Sequence, residues 1–397
     1  MSSNRYICAA VGRRDAYQVP VALVEAGLLE MLVTDMYCTR SLRFLATCLP
    51  AKLRRVVRGR YHPDLPQEKV RSLSARTALC CLRGMMQGNL DAAAGRLDVL
   101  CGQLAARYAQ RCPSHLLLYH SYAWEAFRAD YHHKPRKVLF QYHPHGLLEE
   151  SILRQDAMGT GNTLPRLRST TEREREVWRY ADLVLCASSF TKHSLVSAGM
   201  DPKRCRVVPY GVEPPSPEPS LTAWKPGRFL FVGSGVRRKG LHHLLSAWQA
   251  ATLPPECELL LVCREMEPAL RTLAKATRQV RVVNGASATE LSDFFASSMA
   301  FVMPSLCEGF GHVYAEALNY GCPILGTPNS CVPDLGGEQD GVFCVPAGNI
   351  KELRLALERL ALMLPNRPDL REAALRKGAK LTWRRFRAGV VECLSDF

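Results

Sequence analysis

The residues best suited to chemistry fall in one stretch, Met303 to Pro323. There a short apolar run gives way to a glycine-punctuated loop and then to a helical pattern. The loop carries Glu308, Gly309, Phe310 and Gly311, and Glu316 follows in the second turn of a helix that begins near His312. Loop glycines let a backbone approach a ligand closely. The free N–H groups of a helix start favour an anion or a hydroxyl-rich group. Two carboxylates eight positions apart can accept hydrogen bonds from neighbouring hydroxyls, such as those of a sugar and a ribose. Either glutamate alone would read as a solvated surface acid; the strand–loop–helix setting makes them candidates for binding.

A second stretch, Phe229 to Leu241, runs from an apolar strand into a turn at Gly233 and then into three consecutive cations, Arg237, Arg238 and Lys239. Cations on a short tether suit a diphosphate. The spacing is not that of a Walker loop, and a solvated cationic turn is the competing reading. A third group is histidine. The apolar run from Val138 ends in His143 and His145 around a proline, and His120 follows another such run. Strand ends that face a cleft are where reactive groups belong in α/β sheets. His143 is either a reactive group that orients a ligand or steadies developing charge or a satisfied structural histidine; His145 and His120 are lesser candidates of the same kind. After the first strand, Arg13 in the Gly-Arg-Arg-Asp run is a candidate for binding a diphosphate or another anion.

Short apolar runs alternate with longer amphipathic stretches throughout, which predicts parallel sheets covered by helices. Strands are expected at Tyr6–Val11, Leu29–Thr34, Val70–Leu73, Leu116–Tyr119, Val138–Tyr142, Leu183–Ala187 and Val207–Pro209. Four prolines in residues 213–220 interrupt the rhythm, because proline lacks the N–H that sheets and helices need. The rhythm restarts with strands at Arg228–Val232, Glu258–Val262, Val280–Val283, Ala300–Met303, Pro323–Gly326 and Gly341–Val345. The expected organisation is a first Rossmann-like domain over residues 1–212, a linker over 213–224, a second Rossmann-like domain over 225–380, and a helix over 381–397 packing back on the first domain. This is an α/β class with two doubly wound parallel sheets facing a central cleft, and such sheets bind ligands beyond the carboxyl ends of their strands.

The bulk numbers agree with a globular chain of two domains: 397 residues, 47% hydrophobic and 22% charged. No membrane span is indicated, and the first fifteen residues do not read as a secretory signal. The 16 cysteines are expected to stay reduced. Neither a C-x-x-C pair nor a zinc-like Cys/His spacing occurs, so no metal is assigned. A net charge of +15 attracts nucleic acid, anionic membrane or phosphorylated small molecules without choosing among them. A helix-turn-helix, a zinc module and stacking aromatics are all missing, so nucleic acid is not an expected partner. Residues 40–60 interleave seven cations with apolar side chains and contain no acid. Such a segment either lies on an anionic membrane or packs on its own domain with a solvated basic face.

The loop segment closely resembles the signature of glycosyltransferase family 4, P-S-x-x-E-G-F-G with a second Glu eight positions after the first and then G-x-P. The matching residues are Pro304, Ser305, Glu308, Gly309, Phe310, Gly311, Glu316, Gly321 and Pro323. The cation turn resembles the family at Gly233, Lys239 and Gly240, with Ser234 where an arginine is usual, which leaves Arg237 or Arg238 to supply the second phosphate contact. Residues 181–189 and 207–212 also resemble the family, with Tyr210 where Asn is common. This resemblance implies the GT-B fold and a retaining, metal-independent hexosyltransferase with a nucleotide-sugar as co-substrate and no further cofactor. Glu308 and the amides of residues 309–311 would hold the donor sugar, Glu316 the ribose, and Asn284 would lie by the base. His143 aligns with a cleft histidine near the transferred sugar. The implied acceptor is a glycan or lipid-linked glycan, in polysaccharide or lipopolysaccharide synthesis, with the protein in the cytoplasm or at the inner face of the membrane. A nucleotide-sugar epimerase or a glycoside phosphorylase on the same scaffold is the alternative.

Overall fold

In the computed structural model, residues 4–39, 54, 57, 59–88, 90–159, 172–215 and 224–397 are described. The basic segment 40–60 and the proline-rich linker 213–224 lie mostly outside them. The first sheet contains β1 (Tyr6–Ala10), β2 (Leu29–Thr34), β3 (Val70–Ser72), β4 (His115–Tyr119), β5 (Lys137–Gln141), β6 (Leu183–Cys186) and β7 (Cys205–Val207). The second contains β8 (Arg228–Val232), β9 (Glu258–Val262), β10 (Val280–Val283), β11 (Ala300–Val302), β12 (Ile324–Gly326) and β13 (Val342–Cys344). Their orders are β3-β2-β1-β4-β5-β6-β7 and β10-β9-β8-β11-β12-β13. Neighbouring strands pair in parallel throughout.

The strands form where buried runs need both faces covered. Tyr6–Ala10 is buried at every position, and so is Arg228–Val232. Near-continuous apolar strands of this kind belong to parallel sheets. The covering helices in the first unit are α1 (Gln18–Glu25), α2 (Ser74–Met86), α3 (Leu90–Arg111), α4 (Trp124–Arg128), α5 (Gly146–Gly159), α6 (Glu172–Glu176) and α7 (Ser189–Ser197). The second unit has α8 (Leu241–Ala250), α9 (Pro268–Ala276), α10 (Ala288–Ser297), α11 (His312–Asn319), α12 (Val332–Leu335), α13 (Ile350–Met363) and α14 (Pro368–Gly378), and α15 (Trp383–Ser395) follows. Local chemistry fixes several starts. The Ser188 hydroxyl accepts from the Thr191 amide at α7, Ser287 and Glu290 form a reciprocal capping box at α10, and Thr382 caps α15.

In both sheets the strand order reverses beside the first strand, between β1 and β4 and between β8 and β11. Those switch points open crevices at the strand carboxyl ends. Gly12–Arg13 and His120 follow the first pair, while Gly233 and Met303–Pro304 follow the second. α15 leaves the second unit and packs on the first. Arg387 donates to Glu25 at 2.8 Å and to Gln18 at 2.6 Å on α1, and Phe386 lies against the rings of Phe140 and Tyr210.

Candidate active site

The loop after β11 and the turn after β8 meet at one carboxylate. Glu308 is 8% exposed. Its Oε2 lies 3.1 Å from Arg238 Nη1 and 3.5 Å from Lys239 Nζ. Burial pulls the Glu308 carboxyl toward the neutral acid, but the charges of Arg238, Lys239 and His143 outweigh it and hold the group below its ordinary range. Arg238 is tied further into the loop by donating to the Cys307 carbonyl at 2.7 Å. Lys239 Nζ lies over Gly233, whose φ is +148°, and a Cβ there would stand 3.1 Å from that nitrogen. Gly240 is needed twice: its φ is +69°, and a Cβ would fall 1.9 Å from the Pro304 carbonyl oxygen. That close approach seats the cation turn on the Glu308 loop.

The same loop bridges the two units. A Cβ on Gly309 would come within 1.8 Å of the Tyr142 carbonyl oxygen and 3.1 Å of His143 Cα. Ser188 and Thr191, at the start of α7, both donate hydroxyls to the Gly309 carbonyl, the latter at 3.2 Å. Phe310 is buried, and Gly311 caps α11 with a φ of +85°. Glu316 lies in the second turn of α11, where burial raises its carboxyl and Lys239 counteracts. Asn284 is exposed in a shallow groove with Arg264, Gly285 and Glu290.

In the first unit, His143 follows β5 and faces the Glu308 loop. Its ring stands 6.2 Å from that of His120, and Tyr142 lies between their neighbourhoods, 4.4 Å from His120 and 4.7 Å from His143. His145 is placed elsewhere. Its ring contacts the Arg175 carbonyl at 3.0 Å, its amide donates to Ser194, and burial lowers its basicity. That is a fold-holding role at the start of α5. Arg237 also turns away from its two neighbours: its Nη1 lies 3.7 Å from Asp156 Oδ2 on α5. Arg13 is exposed at the rim.

Three residues outside the sequence-derived site complete the cleft wall. Arg14, beside Arg13, puts its guanidinium 4.1 Å from the Tyr142 ring centroid. Asp15 accepts from the Tyr210 hydroxyl at 2.7 Å. Burial pushes the Asp15 carboxyl up to about 6, with Tyr210, Arg14 and Tyr119 pulling the other way. Tyr210 in turn stacks on His312 at 4.7 Å and meets the edge of Phe310 at 5.5 Å. Asp15, Ala16 and Tyr17 all have left-handed φ, at 46°, 50° and 66°. Three consecutive non-glycine residues in that region store strain of the kind found at functional sites. The Gly-Arg-Arg-Asp run at a switch-point strand end was the available signal.

Two facing doubly wound sheets, with a carboxylate, a cation pair and a glycine loop at the switch point of one, define the GT-B class of architecture. The family pattern described as "Glycosyl transferases group 1" matches residues 226–362, and the one described as "Glycosyltransferase Family 4" matches residues 87–215. These two matches support a glycosyltransferase of the family 4 type. It is 31% identical over 160 residues to an uncharacterized glycosyltransferase of Haemophilus influenzae, covering 39% of this chain and 44% of that one. It is 26% identical over 123 residues to the O-antigen chain mannosyltransferase B of Escherichia coli, covering 29% and 32%. The chain thus spans less than half the length of these two relatives. The Anabaena protein HepE, solved with UDP and glucose, superimposes with a TM-score of 0.61 over 99% of this chain and 100% of its own, at 12% identity.

Proposed function

We propose that this protein transfers a sugar from a nucleotide-sugar to a glycan or lipid-linked glycan, with retention of anomeric configuration. The observation that carries this reading is the meeting of Arg238, Lys239 and Glu308 under the glycine loop, opposite His143. Both the family-pattern matches and the UDP and glucose bound by HepE support it. Arg238 and Lys239 hold the donor diphosphate and offset the charge that grows on it as the glycosidic bond breaks. Glu308 and the amides of residues 309–311 hold the sugar, Glu316 holds the ribose, and the base lies toward Asn284. The acceptor enters from the side of His143, His120 and Arg13. Its oxygen bonds to the anomeric carbon on the face the diphosphate is leaving, the carbon–phosphate oxygen bond breaks, and the acceptor proton passes to the departing phosphate oxygen. These two cations do the work that a catalytic metal does at other diphosphate sites.

The E. coli mannosyltransferase supports a glycan acceptor for this chain as well. We place the reaction at the inner face of a membrane, with residues 40–60 touching anionic lipid; among the described residues no helix is long and apolar enough to cross a bilayer. Vesicle co-sedimentation that does not rise with anionic lipid would remove that element. The activity is tested by incubating the protein with UDP-, GDP-, ADP- and CDP-sugars and acceptor glycans and analysing the products. A new glycoside of retained configuration is expected. Free sugar, a sugar phosphate or an epimerised nucleotide-sugar would instead place the chain in another class.

A further inference from the structure

Outside the donor site, one cluster of metal-ligating side chains spans the two units. Asp156 sits on α5 of the first unit, while His242 and His243 are in the first turn of α8, directly after the cation turn. His242 Nε2 lies 3.1 Å from both Asp156 oxygens, and His243 Nε2 lies 2.5 Å from Oδ1. The three potential ligand atoms are all within 4.8 Å of one another. His242 and His243 are 6% and 5% exposed, and the Asp156 side chain is 7% exposed. Neither Nδ1 has a partner among the described residues, so both rings are oriented from the Nε2 face alone.

We propose that Asp156, His242 and His243 form a site for a divalent transition metal that staples the two units together beside the donor loop. Two imidazoles and one carboxylate suit Zn²⁺, with a fourth position for water. Tetrahedral bonds of about 2.0–2.1 Å separate neighbouring ligand atoms by about 3.3 Å. His242 already stands close to that spacing from the carboxylate, and His243 reaches it by drawing back less than about 1 Å. Oδ1 faces both rings, 3.1 Å from His242 Nε2 and 2.5 Å from His243 Nε2, while Arg237 Nη1 lies 3.7 Å from Oδ2. The ligands come from the two ends of an interface, so the ion favours the arrangement in which α5 and α8 touch. None of the groups assigned to donor binding in the proposed function belongs to this site, so it stands or falls independently of that activity.

The test uses the full chain, stripped with chelator and titrated with Co²⁺, followed by visible absorption and by thermal melting. One Co²⁺ per chain is expected, with d–d bands and no thiolate-to-cobalt charge-transfer band, and with a rise in melting temperature. Asp156→Asn and His243→Gln should each weaken binding by at least roughly 10-fold, since even outer-shell partners of metal sites are worth that much. His242→Gln provides a third, independent variant should either of these fail to fold by circular dichroism. Absence of stoichiometric Co²⁺ binding would overturn the proposal. So would a thiolate-type spectrum, or binding unchanged in the folded variants.

Discussion

Replacing Asp15 with Asn removes a buried acid whose ionisation opposes folding. The ordinary Asp value is 3.8, and burial in the cleft wall raises it to about 6. A carboxyl raised in the native state binds its proton more tightly folded than unfolded. Its contribution to stability is therefore fully present below about pH 4 and is lost as pH rises through 6. That displacement corresponds to about 3 kcal/mol, a large part of the stability of a typical domain. Asn keeps an oxygen for the Tyr210 hydroxyl, which lies 2.7 Å from the acid, but does not titrate. The assay is urea unfolding of wild type and Asp15→Asn from pH 4 to pH 7.5, following the transition of the first unit. Stability of the variant relative to wild type should climb by about 2.5 kcal/mol across that range, because the unfolded acid is already about half ionised at pH 4. Taking the difference cancels groups of opposite sign, such as Glu308, whose contribution is present at neutral pH and lost on acidification. Parallel profiles for the two proteins would refute the burial argument.

Other outcomes follow from the same geometry. Tyr210→Phe removes the donor to Asp15 and should raise the Asp15 carboxyl further, read by ¹³C NMR titration of that group, with a stability loss of about 1 kcal/mol. Gly309→Ala forces a methyl into the Tyr142 carbonyl, 1.8 Å away. It should separate the two units, abolishing transfer and expanding the particle in X-ray scattering while each unit keeps its secondary structure. Glu308→Ala should remove most transfer activity with the fold intact by circular dichroism; full turnover would refute its role at the sugar.

The strands were legible because each is a short apolar run bounded by turn residues, and the structure places them within one or two residues of expectation. The strand–loop–helix around Glu308 and the cation turn were legible because their residues are close in sequence. What lay beyond sequence reading depends on long-range contacts. Asp15 and Tyr210 meet across 195 positions, so in the sequence Tyr210 stood out only as a departure from the family's common Asn. Arg237 and Arg238 could not be told apart by spacing, because a tight turn sends neighbours in different directions, one to Asp156 and one to Glu308. His145, beside His143, is taken by the Arg175 carbonyl for the same reason. The Asp156–His242–His243 cluster joins helices 86 positions apart, and no local motif announces it.

Calorimetric titration of nucleotide-sugars into wild type, Arg238→Ala, Lys239→Ala and Arg237→Ala measures the grip on the diphosphate itself. A charge-assisted hydrogen bond is worth about 1.5–3 kcal/mol. Removing Arg238 or Lys239 should therefore weaken a single site per chain by roughly 10- to 100-fold, and removing Arg237 should cost less. Affinity unchanged by loss of both Arg238 and Lys239 would contradict a donor pocket at the Glu308 loop.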